Sequence, residues 1–244
     1  TNVIVGNQRI SEEADAGGLS TRTDDPGGVI LCGDRGAQRV YFLQVSSEAA
    51  VASLANCVSA FDARTVADVT GREGQFNGFD DIFARSRFHF YKCFRRMSRR
   101  PSDAGTADFN MIRPATTSDI AGVLAMIDAV FDPLAEFMPD IVELEGLLGR
   151  GGILVADDGA GALRGFLAHE AIGTTSLLRY VAVSPDCRGT GLGSALIAKY
   201  LNDTSHAVRH DLWVWERNDA AIKRYIANGF AFTGHCNKIY RFEE

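Results

Sequence analysis

From Met111 onward the apolar positions of the chain fall into alternating periods, and each change of period marks an element. "MIRPA" reads as a short strand. In "SDIAGVLAMIDAVFD", Ile120, Val123, Leu124, Ile127, Val130 and Phe131 share one helical face, with Ser118 as the expected N-cap. "DIVELEGLLGRG" predicts a second helix that stops at glycine, and "GILVADDGAGALRGFLAHEA" predicts a hairpin of two strands around a Gly-rich turn. "SLLRYVAV" predicts a strand ended by Ser184 and Pro185, followed by a glycine loop and the helix "GSALIAKYL". The strand "HDLWVWE" comes next; Asn218 caps the helix "DAAIKRYIAN", Gly229 stops it, and "FAFTGHCNKIYRF" supplies the last strands. The order β-α-α-β-β-β-α-β-α-β-β mixes hairpins with strand–helix–strand passages. It therefore implies an α/β fold whose sheet is partly antiparallel and partly parallel, flanked by helices.

The N-terminal part predicts "QRVYFLQV" and "RTVADVTG" as strands around a helix from about Ser47 to Val58. "FDDIFARSRFHFYKCFRRMSRR" reads as helical. From Arg85 to Arg100 it carries six arginines and one lysine with no acid. On a helix, Arg85, Lys92, Arg96 and Arg99 share a face, while Phe90, Tyr91, Phe94 and Met97 pack. That face is either a solvated surface over a small core or an electropositive wall for an anionic acceptor. The stretch "RRPSDAGTADFN" at 99–110 concentrates Pro, Gly, Ser and Asp and reads as a linker. The expected organisation is a smaller α/β half-domain at 1–105 leaning on a complete domain at 110–244.

Composition narrows the class. With 244 residues, net charge −6 and 46% hydrophobic content, the chain reads as a globular protein with a sizeable core. No stretch approaches the ~20 apolar residues of a membrane span, and the N-terminus lacks a signal-peptide core, so a cytoplasmic protein is expected. The acidic balance argues against nucleic acid as a partner. Cys32, Cys57, Cys93, Cys187 and Cys236 are odd in number and form no C-x-x-C, which argues against a disulfide framework and against a metal site.

The chemistry concentrates in "VAVSPDCRGTGLGSALIAKYL". A P-loop needs Gly-Lys-Ser/Thr at the helix start, and no lysine follows Gly193. A dinucleotide fingerprint needs a third glycine where Ser194 stands, and its acid should end the next strand, whereas Asp211 begins one. The remaining pattern is Arg188, Gly189, Thr190, Gly191, Leu192, Gly193, Ser194. Glycines there let backbone N–H groups converge on an anion at a positive helix end, with Arg188 as a charged fork. Taken alone, the loop reads equally as an ordinary glycine-rich turn.

Together with "NDAAIKRYIANGF", which places Asn218, Ala221, Tyr225, Gly229 and Phe230, the loop resembles the two signature motifs of the GNAT superfamily of acyl-CoA-dependent N-acyltransferases. The element order from Met111 to Phe242 agrees with that fold. The resemblance implies acetyl-CoA as cosubstrate and no metal. It implies that backbone groups of Val181 and Val183 hold the pantetheine arm and that Arg188, Gly189, Thr190, Gly191, Leu192, Gly193 and Ser194 hold the pyrophosphate. Asn218 contacts the pantetheine or orders Tyr225, and Tyr225 serves as general acid for the departing thiolate. From spacing alone, a core aromatic is the favoured reading of Tyr225, and Asn218 reads as a plain helix cap.

Aminolysis of a thioester needs a neutral amine, a polarised carbonyl and a stabilised leaving group. Some relatives carry a glutamate near the start of the strand before the loop, but "SLLRYVAV" has no acid. Glu170, His169 or water are the candidate bases. Cys187 lacks a histidine partner arrangement and reads as an incidental loop residue. A weaker resemblance, to the dTDP-fucosamine acetyltransferases with their truncated GNAT-like half in front, implies a nucleotide-linked amino sugar as acceptor. The expected function is acetyl transfer to a primary amine of a small molecule; a homodimer is compatible with it. The competing readings are a non-catalytic acyl-CoA-binding module, an acetyltransferase for a protein, peptide or antibiotic amine, and a binder that works through the basic segment.

Overall fold

The computed structural model of the chain describes residues 19–24, 27–33, 38–42, 63–76, 79–101, 111–159 and 161–243. The helix expected from about Ser47 to Val58, and most of the linker expected at 99–110, lie outside the described residues. In chain order the elements are β1 (Leu19–Asp24), β2 (Gly27–Gly33), β3 (Gln38–Phe42), β4 (Thr65–Arg72), α1 (Phe79–Ala84), β5 (Phe88–Arg99) and β6 (Ile112–Pro114). Then follow α2 (Ile120–Val130), α3 (Ile141–Gly149), β7 (Ile153–Asp157), β8 (Leu163–Ile172), β9 (Thr175–Val183), α4 (Leu192–Asp203), β10 (Arg209–Trp215), α5 (Asp219–Ala227) and β11 (Ala231–Phe242). They group into two compact units. The first takes Thr1–Arg95, Asp132–Met138 and Gly234–Glu244; the second takes Arg96–Phe131 and Pro139–Thr233.

In the first unit, β1, β2 and β3 form an antiparallel meander, β4 joins β3 in parallel, and β11 runs antiparallel to β4. Strands β1 and β2 were not foreseen from the sequence. The core gathers Val66, Ala67, Phe83, Phe88, Ile239 and Tyr240. Phe83 stacks on Tyr240 at 4.2 Å between ring centroids. The Tyr240 hydroxyl donates to Asp80 Oδ1 at 2.7 Å, and burial followed by that bond pushes the phenol well above its ordinary pKa.

The basic segment corrects the sequence reading. Only Phe79–Ala84 is helical; Arg87 takes φ 63°, which ends the helix, and Phe88–Arg99 is a twelve-residue strand. The aromatic run Phe88, Phe90, Tyr91, Phe94 favours a pleated strand packed on neighbours over an isolated helix. The four basic side chains expected on one helical face therefore part company. Arg85 is exposed, Lys92 pairs with Asp132, Arg96 pairs with Asp211, and Arg99 is buried against Gly229. Tyr91 also donates to Asp132, at 2.7 Å, and its pKa is pushed up to about 12 by burial first and by that bond second.

In the second unit the strand order runs from the end of β5 through β10, β9, β8 and β7 to β6. Antiparallel ladders join β6 to β7, β7 to β8 and β8 to β9, whereas β9 and β10 are parallel. The mixed sheet expected from the sequence is present. Its core holds Met97, Leu154, Leu167, Leu178, Leu196, Tyr200, Leu212, Tyr225 and Phe230. Ser118 does not cap α2. A 3-10 turn at Thr117–Asp119 precedes the helix, and Thr116 and Asp119 form a reciprocal capping box around that turn. Asp119 is also gripped by both terminal nitrogens of Arg113, at 2.8 and 3.0 Å. On α2, Ile120, Val123 and Ile127 are buried, but Val130 is exposed, and Phe131 leaves the helix to meet Tyr180 edge-on at 5.4 Å. The last segment is one long strand rather than two, because Gly234 absorbs its irregularity at φ 75° without breaking it.

Candidate active site

The parallel pairing of β9 with β10 is short. It runs from Thr175 opposite Arg209 to Leu178 opposite Leu212 and ends there. On the other side of β9, Ala168 pairs with Tyr180 and the next residue, His169, pairs with Leu178, which leaves Arg179 as an extra residue. Such a bulge bends and twists its strand. It falls one residue beyond the last β9–β10 pair. From there Val181 and Val183 continue on β9 with β8 as partner, while the edge toward β10 carries no ladder. Main-chain groups on that edge need another hydrogen-bonding partner. An extended amide-bearing chain is one such partner.

Beyond Val183 the chain turns through Ser184 and a 3-10 turn at Pro185–Cys187 into the glycine loop and α4. Gly189 takes φ 81°, and Gly191, at the N-cap of α4, takes φ 92°. A Cβ added at either would meet nothing within 4 Å, so the backbone angle and not space demands glycine. No side chain caps α4. The Leu192 N–H has only a marginal contact with Thr190 Oγ1, at 3.5 Å, while that hydroxyl donates to Cys187 O at 2.8 Å. Gly189, Thr190, Gly191 and Ser194 are exposed, as is Arg188, which forms no ion pair among the described residues. An uncapped helix start with an unpaired arginine in front suits a phosphate-sized anion. Gly193 is different: it is buried, and a Cβ there would stand 3.1 Å from Nη1 and 3.2 Å from Cζ of Arg224.

Asn218 caps α5 as expected, its Oδ1 accepting from the Ala221 N–H at 3.1 Å. Gly229 closes the helix at φ 82°. Tyr225 is buried, edge-on to Phe230 at 5.9 Å, and belongs to the same cluster as Leu178 and Leu212, the last paired residues of β9 and β10.

The two side chains named as bases are both engaged. Glu170 Oε1 accepts from Arg179 Nη1 at 2.5 Å, so its charge is already matched. Arg179 is held above its ordinary pKa by Tyr180 and Glu170 against the opposing effect of burial. His169 packs against the Tyr200 ring at 4.9 Å, its Nδ1 is buried without a partner among the described residues, and burial lowers its pKa. Cys187 is a free thiol. No group of three His, Cys, Asp or Glu side chains is disposed to hold a metal among the described residues. No helix among them is long and apolar enough to cross a membrane. Sequence reasoning passed over the Arg179 bulge, which has no residue signature, and over Arg224, which lies inside the second motif.

Residues 149–231 match the family model of the acetyltransferase (GNAT) domain. Solved structures share the fold. A GCN5-related N-acetyltransferase from Kribbella flavida aligns over 99% of this chain and 98% of its own, at 13% identity and a TM-score of 0.62. A GNAT-family acetyltransferase from Novosphingobium aromaticivorans aligns over 95% and 94%, at 14% identity and a TM-score of 0.60. A GCN5-related N-acetyltransferase from Sphaerobacter thermophilus covers 88% and 76%, at 13% identity and a TM-score of 0.66. No curated protein sequence matches the chain. Residues 149–231 thus carry a match to the GNAT acetyltransferase domain, and the chain shares the fold of these solved acetyltransferases. None of these likenesses bears on the amino-sugar resemblance.

Proposed function

We propose that the chain transfers an acetyl group from acetyl-CoA directly to a primary amine of a small-molecule acceptor. One observation carries the reading: the β9–β10 ladder stops at Leu178 and Leu212, and β9 then leads straight into an uncapped, glycine-built helix start. The open strand edge suits a pantetheine arm, with Val181 and Val183 as its backbone partners. The Arg188–Ser194 loop suits the pyrophosphate. Acetyl-CoA supplies the thioester; the chain's own residues orient it and move one proton. Strand N–H groups polarise the carbonyl. Tyr225 donates its hydroxyl proton to the departing sulfur. Asn218 sets the register of α5 and hence the place of Tyr225. With Glu170 tied to Arg179, the incoming amine loses its proton to water.

The acceptor is assigned only as a primary amine. Arg96 and Arg99, read from the sequence either as a solvated face or as a wall for an anionic acceptor, pair with Asp211 and pack against Gly229 respectively. The test is release of free CoA thiol from acetyl-CoA with a panel of amines that includes nucleotide-linked amino sugars, simple amino sugars, polyamines and peptides. Acceptor-dependent release is expected. Binding of acetyl-CoA with no release across the panel would favour the non-catalytic reading instead.

A further inference from the structure

Arg224 lies in the last turn of α5, one residue before the tyrosine of the second motif. Its side chain does not stay on its own helix. The Nη1, Cζ and Nε atoms would stand 3.1, 3.2 and 3.6 Å from a Cβ built on Gly193, so the guanidinium lies across the first turn of α4. A Cβ at 193 would make it give way by a few tenths of an ångström, and this gives Gly193 a reason that Gly189 and Gly191 do not share.

The position is electrostatically odd. A cation in the last turn of α5 is favourable for that helix, but the same charge set against the start of α4 faces a partial positive charge. No carboxylate offsets it, since Arg224 makes no ion pair or side-chain hydrogen bond among the described residues. Arg188, in front of the same turn, is likewise unpaired. In a chain of net charge −6, two guanidiniums without acids at one helix start make a place that an anion would relieve.

We propose that Arg224 is a phosphate-binding residue of the acyl-CoA site, gripping the pyrophosphate from the α5 side opposite Arg188. This rests on the acyl-CoA reading of the loop and adds a residue from outside it. The pyrophosphate is chosen because Gly193, which the guanidinium covers, belongs to the turn assigned to it. A charge-assisted hydrogen bond is worth about 1.5–3 kcal/mol, or roughly ten- to hundredfold in affinity.

The experiment is calorimetric titration of the full chain with CoA, dephospho-CoA and pantetheine, using wild type, Arg224→Gln, Gly193→Ala and the double variant. Thermal melting of each free protein checks that it is folded. Arg224→Gln should weaken CoA and dephospho-CoA alike, by roughly ten- to hundredfold, and leave pantetheine unchanged. Gly193→Ala, which makes the guanidinium give way by a few tenths of an ångström, should weaken the same two ligands by a smaller factor with the arginine still present, and the double variant should be no weaker than Arg224→Gln alone. Undiminished CoA affinity in folded Arg224→Gln would overturn the proposal and leave the acyl-CoA reading standing. A loss seen with CoA but not with dephospho-CoA would move the contact to the 3′-phosphate and overturn the pyrophosphate assignment. A wild type that binds neither would overturn the acyl-CoA reading itself.

Discussion

Arg96 on β5 bonds through Nη2 to Asp211 on β10, a carboxylate whose side chain is 2% exposed. Arg209 approaches the same oxygen at 3.1 Å, and the second oxygen, Oδ1, is buried without a hydrogen-bond partner among the described residues. An arginine from a segment that looked like a charged surface is thus a structural counter-ion. Arg96→Ala leaves a buried carboxylate with half of its compensation, and the cost should be about 2–4 kcal/mol. Chemical denaturation should show it, and Asp211→Asn in the same background should recover part of the loss. A stability change below 0.5 kcal/mol (: about the worth of an exposed pair) would make the bond superficial.

The glycine loop can be tested with charge separated from backbone strain. Gly191 sits at φ 92°, a region that asparagine tolerates better than most residues. Acetyl-CoA should raise the melting temperature of the wild type and, to a lesser degree, of Gly191→Asn. It should not raise that of Gly191→Asp, whose carboxylate would oppose a pyrophosphate. Equal stabilisation of the Asn and Asp variants would remove the loop from the cofactor site.

Tyr225→Phe keeps the ring against Phe230 and removes only the hydroxyl. If the phenol donates to the leaving sulfur, kcat should fall by about 10²- to 10⁴-fold while acetyl-CoA binding survives. Near-wild-type kcat, with chemistry shown to be rate-limiting, would leave Tyr225 as a core aromatic alone.

Acid should weaken the fold through two histidines. His210 is fully buried, with Nε2 2.9 Å from Thr204 Oγ1, and His169 lies against Tyr200; desolvation lowers both pKa values. A histidine with a depressed folded pKa binds its proton more readily when unfolded. Stability is therefore complete above the unfolded value, about 6.5, and declines as pH falls below it. Denaturation midpoints between pH 8 and pH 5 (: roughly the range this titration spans) should fall for wild type. They should fall less steeply for His169→Gln. An identical slope in both would rule His169 out of this dependence.

What the sequence by itself determined is local. Asn218 and Gly229 carry the start and stop of α5 in their own side-chain and backbone chemistry, as Asp140 and Glu143 do for α3. The glycines at 189 and 191 announce positive φ wherever the chain ends up. The hairpin of β7 and β8 is written in two short apolar runs around a Gly-rich turn. Tertiary structure decided what depends on partners distant in the chain. Charge on Arg96 and Arg99 reads as surface until Asp211 and Gly229 arrive from more than a hundred residues away. The strand at Phe88–Arg99 was mistaken for a helix because its aromatic positions satisfy either period, and only packing in a sheet chooses between them. The bulge at Arg179 exists only as a mismatch between two registers, so no single strand encodes it. The opening beside it, on which the proposed chemistry depends, is likewise a property of three strands together.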